Sequence, residues 1–442
     1  MGTAIDRRAV VIGGAALAGA AATGATAQRR RSPPGRPFLF GVATAAHQVE
    51  GNNVNSDYWV LENVASTGFP DRSGDACDSW ARWREDVALV ASMGLNAYRF
   101  SIEWARIEPE PGQFSLAVLE HYRRMCIACR EAGIEPVVTF HHFTSPRWIA
   151  AMGGWENPEV ADRYARYCGR AAQSLRDVMR WACTINEPNA QVNSYVVARG
   201  APFKREAQVR AEAARAVGSN RFCSFFQGDS FKVRDVCLVA HAKGRDAIKS
   251  AAPQTKVGIT LALQDLRQGP DGADLYRRIW KEARAPFYEA ARADDFIGVQ
   301  SYNRMTTGPD DYLPTPPGAF ADSWNRDSAP DVLAAAVREA HRETRVPVLV
   351  SEHGINAVDD RLRVRHLAPS LEGLAGCVAE GIPVLGYIHW TLLDNFEWGS
   401  GYAPRFGLYA VDRTSFRRTA KPSAAAYARL ARAMRPRLER RA

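Results

Sequence analysis

Eight short β-rich apolar runs, each followed by a stretch with helical spacing, constrain this chain more than any other feature. The runs are Phe38–Ala43, Leu95–Ile102, Glu135–Phe140, Trp181–Ile185, Lys256–Leu261, Phe296–Gln300, Val346–Ser351 and Val384–Trp390. Between them, DSWARWREDVALVASMG places Trp83, Val87 and Val90 on one helical face, and DVLAAAVREAHRETR precedes the seventh run. Such alternation predicts parallel strands joined by crossover helices. Eight strands close without leaving an edge, so the expected fold is a single (β/α)8 TIM barrel. Pro188 to Pro253 is too long for one crossover and calls for extra helices or a lid. Phe40-Gly41-Val42-Ala43 lacks the GxGxxG that a dinucleotide needs after a first strand.

Charge distribution argues against nucleic acid as a partner. The net charge is +9, but Arg29, Arg30 and Arg31 form one basic cluster, and residues 429–442 carry six Arg against one Glu. The body between these ends is near neutral, and the excess reads as two solvated tails. Within residues 1–27, Arg7-Arg8, a Gly/Ala-rich apolar stretch and Ala25-Thr26-Ala27 read as a cleaved export signal resembling the twin-arginine type. Asp6 and the lack of a Lys after Ile12 depart from that type. The expected location is therefore periplasmic or secreted, with residues 28–37 as a linker and 38–442 as the folded domain. The apolar stretch within residues 1–27 is too weak and too Gly-rich for a stable membrane span, and no later segment offers roughly 18 uninterrupted apolar residues. Of the eight cysteines, Cys126 and Cys129 lie at core-facing helical spacing with no second pair, so no metal is expected. In an exported protein Cys223 and Cys237 could pair.

In a barrel of this kind, the C-terminal strand ends face a shared mouth. Here those ends carry Thr44-Ala45-Ala46-His47-Gln48, His141-His142, Asn186-Glu187, Ser301-Tyr302-Asn303, Glu352-His353, and Trp390 leading to Asp394-Asn395-Phe396-Glu397-Trp398. Glu187 and Glu352 each follow an apolar run at the ends of strands four and seven. Either alone would fit a salt bridge or a helix cap. Paired across a barrel, they suit glycosidic chemistry, in which one carboxyl protonates the leaving oxygen and another attacks the anomeric carbon.

FLFGVATAAHQVEG, YRFSIEWARI, TINEPN, SEHGIN and GYIHWTLLDNFEWGSGYAPRFGLYAVD together resemble glycoside hydrolase family 1, the β-glucosidase family, from about Phe38 to Tyr427. The resemblance implies a (β/α)8 barrel that needs no cofactor, with Glu187 as general acid/base and Glu352 as nucleophile of a retaining double displacement. It further implies that Gln48, His142, Asn186, Glu397 and Trp398 bind the glycone, that Trp390 is its stacking platform, and that Arg99 and Tyr302 hold the nucleophile. A neighbouring Arg is expected to lower a nucleophile's pKa. Trp390, Phe396 and Trp398 taken singly would equally fit a core, and His141 reads as a packed histidine.

Four positions depart from the family pattern: His353 and Gln300 stand where Asn is usual, Ser301 replaces a Tyr, and Phe143 replaces a Trp. Glucose, galactose or fucose thus remain open as glycones. Retention of Glu397-Trp398 favours unphosphorylated sugars, because a carboxylate there would repel phosphate. The partner is expected to be a small glycoside or oligosaccharide. Alternatives are an endo-glucanase of a related barrel, a transglycosidase using the same intermediate, and a sugar-binding protein without turnover.

Overall fold

The computed structural model describes residues 37–200 and 205–439. The export signal and all but Pro37 of the linker lie outside the described residues. The eight runs are strands β1 (Leu39–Ala43), β2 (Ala97–Ser101), β3 (Glu135–His141), β4 (Trp181–Asn186), β5 (Lys256–Ala262), β6 (Ile297–Ser301), β7 (Val348–His353) and β8 (Val384–Trp390). They form a closed parallel barrel in chain order, sealed by β1 against β8 from Leu39↔Gly386 to Ala43↔Trp390. Both faces of such a sheet are covered, which is why the strands read as continuous apolar runs.

Leu39, Ala97, Val137, Cys183, Leu349 and Ile388, from six different strands, pack together as one cluster inside the barrel. Phe40, Tyr98, Val138, Ile185 and Val350 belong to the larger cluster shared with the helices. The helix Ser79–Ser92 buries Trp83, Val87 and Val90, and Leu116–Glu131 buries Cys126 and Cys129, as their spacings predict. Beyond β4 the long segment holds three helices, Pro188–Val197, Glu206–Ala216 and Ser230–Ala251. The last packs on Val160–Leu175 through Gly244, where a Cβ would lie 2.7 Å from the Tyr164 ring.

Two expectations are corrected. Residues 429–439 are not a solvated tail but the end of the helix Pro422–Glu439, which buries Met434 and Leu438 while Arg437 pairs with Glu372. Arg429, Arg432, Arg435 and Arg437 escape an apolar-period reading because they lie off the buried face of this amphipathic helix. Cys223 and Cys237 do not pair: both are free and buried, with Cys223 Sγ directed at the Gln227 carbonyl. Among the described residues, no helix is long and apolar enough to cross a membrane.

Candidate active site

Strand pairing shifts register between Cys183 and Asn186, between Val299 and Gln300, and between Tyr387 and His389. Such irregularities re-aim side chains at a strand's end. After β4, Glu187 turns left-handed at φ 45°, held by its N–H on the Thr260 carbonyl, and Pro188 opens the next helix. Proline suits that first helical position because its missing N–H would be unpaired there anyway. Phe143 at φ 70° and Trp398 at φ 50° share this uncommon backbone region, so three mouth residues are held in strained conformations.

Asn186 Oδ1 accepts three hydrogen bonds, from Arg99 Nη2 at 2.6 Å, Gln300 Nε2 at 2.8 Å and Thr260 Oγ1 at 3.2 Å. The same Arg99 donates through Nη1 to Glu352 Oε1 at 2.5 Å, and the same Gln300 donates to that oxygen at 2.9 Å. Tyr302 donates its hydroxyl to Glu352 Oε2 at 2.5 Å. Glu352 is therefore gripped by three donors, as its resemblance to a nucleophile implies for Arg99 and Tyr302. Gln300 is the residue that sequence reasoning missed. It stood out as a departure from the pattern, yet its amide joins Asn186 to Glu352.

The carboxyl of Glu187 has no hydrogen-bond partner among the described residues. Glu187 lines a cavity of about 150 Å³ together with Asn189, Asn193, Gln264, Arg284 and Tyr312. Desolvation, then the charge of Glu352, raises its pKa well above the carboxylate range, against the opposing pull of Arg99. Glu352 differs from expectation. Arg99 and the Tyr302 hydroxyl do act to lower its pKa, but burial outweighs them and the net shift is upward. The contrast between the carboxyls survives, because only Glu352 has strong donors working against desolvation. The shared proton belongs on Glu187.

The remaining predicted residues collect around this pair. Gln48 Nε2 donates to the Phe396 carbonyl at 2.7 Å and to Glu397 Oε2 at 3.1 Å. His142 lies parallel to Trp390 at 5.7 Å and to Trp398 at 6.1 Å, and its Nε2 is 3.4 Å from Asn186 Nδ2. Gln48 Oε1 and His142 Nδ1 are buried without a protein partner, which leaves an acceptor and a ring nitrogen available to ligand hydroxyls. Burial, with Arg99 nearby, drives the His142 pKa well down, so it is a neutral imidazole. Glu397 is raised to about 8 by burial and by Glu352. It is largely protonated at neutral pH, so the charge-repulsion argument against phosphate is weaker than its residue type suggests.

The other departures separate cleanly. Phe143 packs edge-on against Trp398 at 5.3 Å and so shapes the pocket without a donor. His353 points away from the mouth, stacked on His366 at 4.9 Å and bonded to the Tyr387 hydroxyl at 2.9 Å. His141 is packed, as expected, with Nε2 3.0 Å from Ser145 Oγ and its ring against Trp155.

The sequence profile described as glycosyl hydrolase family 1 matches residues 32–273 and 320–435. A β-glucosidase of an Agrobacterium species is 29% identical over 89% of this chain and 94% of its own. A bifunctional β-D-glucosidase/β-D-fucosidase of Bifidobacterium breve is 30% identical over 87% and 95%. The crystal structure of β-glycosidase BGL167 superposes with a TM-score of 0.86 at 45% identity, covering 90% of this chain and 97% of that one. The chain belongs to glycosyl hydrolase family 1 and is a glycoside hydrolase.

Proposed function

We propose that this enzyme is a retaining, exo-acting β-glycosidase that removes single unphosphorylated sugars, glucose foremost, from the nonreducing end of small β-glycosides. The observation that carries the proposal is the asymmetry of the carboxyls: Glu352 is held by Arg99, Gln300 and Tyr302, while the Glu187 carboxyl is unheld and its pKa is pushed well above the carboxylate range by burial and by Glu352. In the first step Glu187 donates its proton to the glycosidic oxygen as Glu352 attacks the anomeric carbon, which breaks the bond to the leaving group. Loss of the Glu352 charge in the resulting ester leaves burial as the larger cause of the raised Glu187 pKa but removes the neighbouring charge that adds to it, so Glu187 gives up its proton more readily. Glu187 then takes a proton from water, whose oxygen displaces Glu352 from the anomeric carbon.

Gln48, His142, Asn186, Glu397, Trp390 and Trp398 are assigned to the glycone. Aromatic faces suit the C–H faces of a pyranose, and amide and carboxyl groups suit neighbouring hydroxyls. A fucoside is the second substrate in this reading, supported by the bifunctional Bifidobacterium relative. We also propose export, from Arg7-Arg8 and the Ala25-Thr26-Ala27 pattern; a periplasmic fraction whose protein still begins at Met1 would refute cleavage.

Proton NMR of aryl β-D-glucoside hydrolysis tests the function directly. β-Glucose appearing before mutarotation is the expected result. α-Glucose first would overturn retention, and release of galactose or fucose but not glucose, across a panel of aryl glycosides, would reassign the glycone.

A further inference from the structure

We propose that Gln264 is a positioning residue that sets the hydroxyl of Tyr302 on Glu352. Gln264 stands where the barrel sheet gives way to a separate two-stranded pairing. The barrel ladder ends with Leu263 N–H on the Gln300 carbonyl at 2.8 Å, and a parallel pair of Asp265–Gln268 with Arg304–Thr307 then begins. At this break the backbone N–H groups of Tyr302 and Asn303 have no ladder partner, and an unpaired buried amide is costly. The Gln264 side chain accepts both through Oε1, at 2.9 Å from Tyr302 and 3.3 Å from Asn303.

Gln264 is itself anchored. Its carbonyl accepts from Arg284 Nη2 at 2.6 Å, and Arg284 is a buried cation paired with Glu339, which also accepts from Tyr288. Arg284 closes a π-helical turn, Trp280–Arg284, inside a segment that the family profile leaves unmatched. Such turns recur at functional sites. The path from Glu339 to Glu352 thus runs through Arg284, the Gln264 backbone, the Gln264 amide and Tyr302. Tyr302 also packs edge-on against Phe406 at 5.9 Å, so its hydroxyl is placed by that ring contact together with the backbone that Gln264 holds.

This inference rests on reading Glu352 as the nucleophile. The charged or titratable groups around Glu352 are Arg99 on β2, Cys183 on β4, Glu187 after β4, Tyr302 after β6 and Glu397 after β8. Substituting Gln264 changes none of them, so a shift in titration reports geometry. Gln264→Leu is expected to lower kcat/KM for an aryl β-glucoside about tenfold, since a misplaced catalytic contact costs up to about a hundredfold per ångström. It should also move the acidic limb of the kcat/KM profile to higher pH, as Tyr302→Phe is expected to do by removing the same stabilising bond. The double variant should be no worse than Tyr302→Phe alone.

Gln264→Met, near-isosteric but lacking the amide oxygen, decides the matter if the Leu variant does not fold. A folded Met variant with a wild-type acidic limb, or losses that multiply in the double variant, overturns the inference. If Tyr302→Phe itself leaves the limb in place, the nucleophile reading is what fails.

Discussion

The ends of β4 and β7 begin alike, with an apolar strand delivering a glutamate to the same mouth, and finish as opposites. At β4 the backbone is bent into the left-handed region, and the Glu187 carboxyl has no hydrogen-bond partner among the described residues. At β7 the strand continues through Glu352, and three donors from β2, β6 and the turn after β6 converge on the carboxyl. Identical side chains are thus set apart by their surroundings alone, as the proposed roles of proton carrier and attacking carboxyl require. A carboxyl that must gain and lose a proton is best left unpartnered, and one that must attack a defined carbon is best immobilised.

Removing the attacking group should have the largest effect. Glu352→Gln is expected to lower kcat by roughly 10⁴- to 10⁶-fold for every aglycone while the thermal transition stays near wild type. Full activity in the purified variant would end the comparison. Glu187→Gln should separate substrates instead. With a poor leaving group such as methanol or a second sugar, the first step should slow by about 10²- to 10⁴-fold, whereas a dinitrophenyl glycoside needs little protonation and should react near the wild-type rate. Equal losses for both leaving groups would show that Glu187 does not deliver the proton.

Gln300→Leu sharpens the contrast at intermediate size. It deletes one donor to Glu352 and one to Asn186 while Arg99 remains on both. A hydrogen bond to a charged group is worth about 1.5–3 kcal/mol, which corresponds to a loss of about 10- to 150-fold in kcat/KM. A cost below twofold would leave Arg99 and Tyr302 as sufficient support.

These differences were legible in the sequence to unequal degrees. All eight strands are visible because burial on both faces writes a continuous apolar run, and their ends agree with the structure within two residues. Glu187, Glu352, Arg99 and Tyr302 are visible as polar residues at strand ends. The role of Gln300 is not, because it depends on the register shift between β6 and β7, which no local pattern encodes. Likewise Asp265–Gln268 escapes a strand reading: exposed Arg267 and Gln268 follow buried Asp265 and Leu266, so neither a period of two nor an apolar run appears. The net pKa direction of Glu352 was misread because a neighbouring Arg is visible in a sequence and the depth of burial is not.

The smallest expected effect lies behind the two strands and extends the same contrast to stability. Behind β4, His241 has its Nδ1 hydrogen-bonded to Thr184 Oγ1 at 2.8 Å and a carboxylate, Asp294, 3.1 Å from Nε2. Behind β7, His366 stacks on His353, and burial together with the Arg363 cation lowers its pKa to about 4. A histidine that stays neutral when folded but takes a proton near its ordinary pKa of about 6.5 when unfolded favours unfolding as pH falls. The loss begins below about pH 6.5, accumulates at up to about 1.4 kcal/mol per pH unit, and stops near the folded value of about 4. Replacing it by an aromatic that cannot titrate, His366→Phe, should therefore flatten the fall of the melting temperature between pH 6.5 and 4.5, whatever the variant costs at pH 7.5. A fall parallel to wild type would mean that His366 is protonated in the folded state, and the distinction between the two backing layers would not hold.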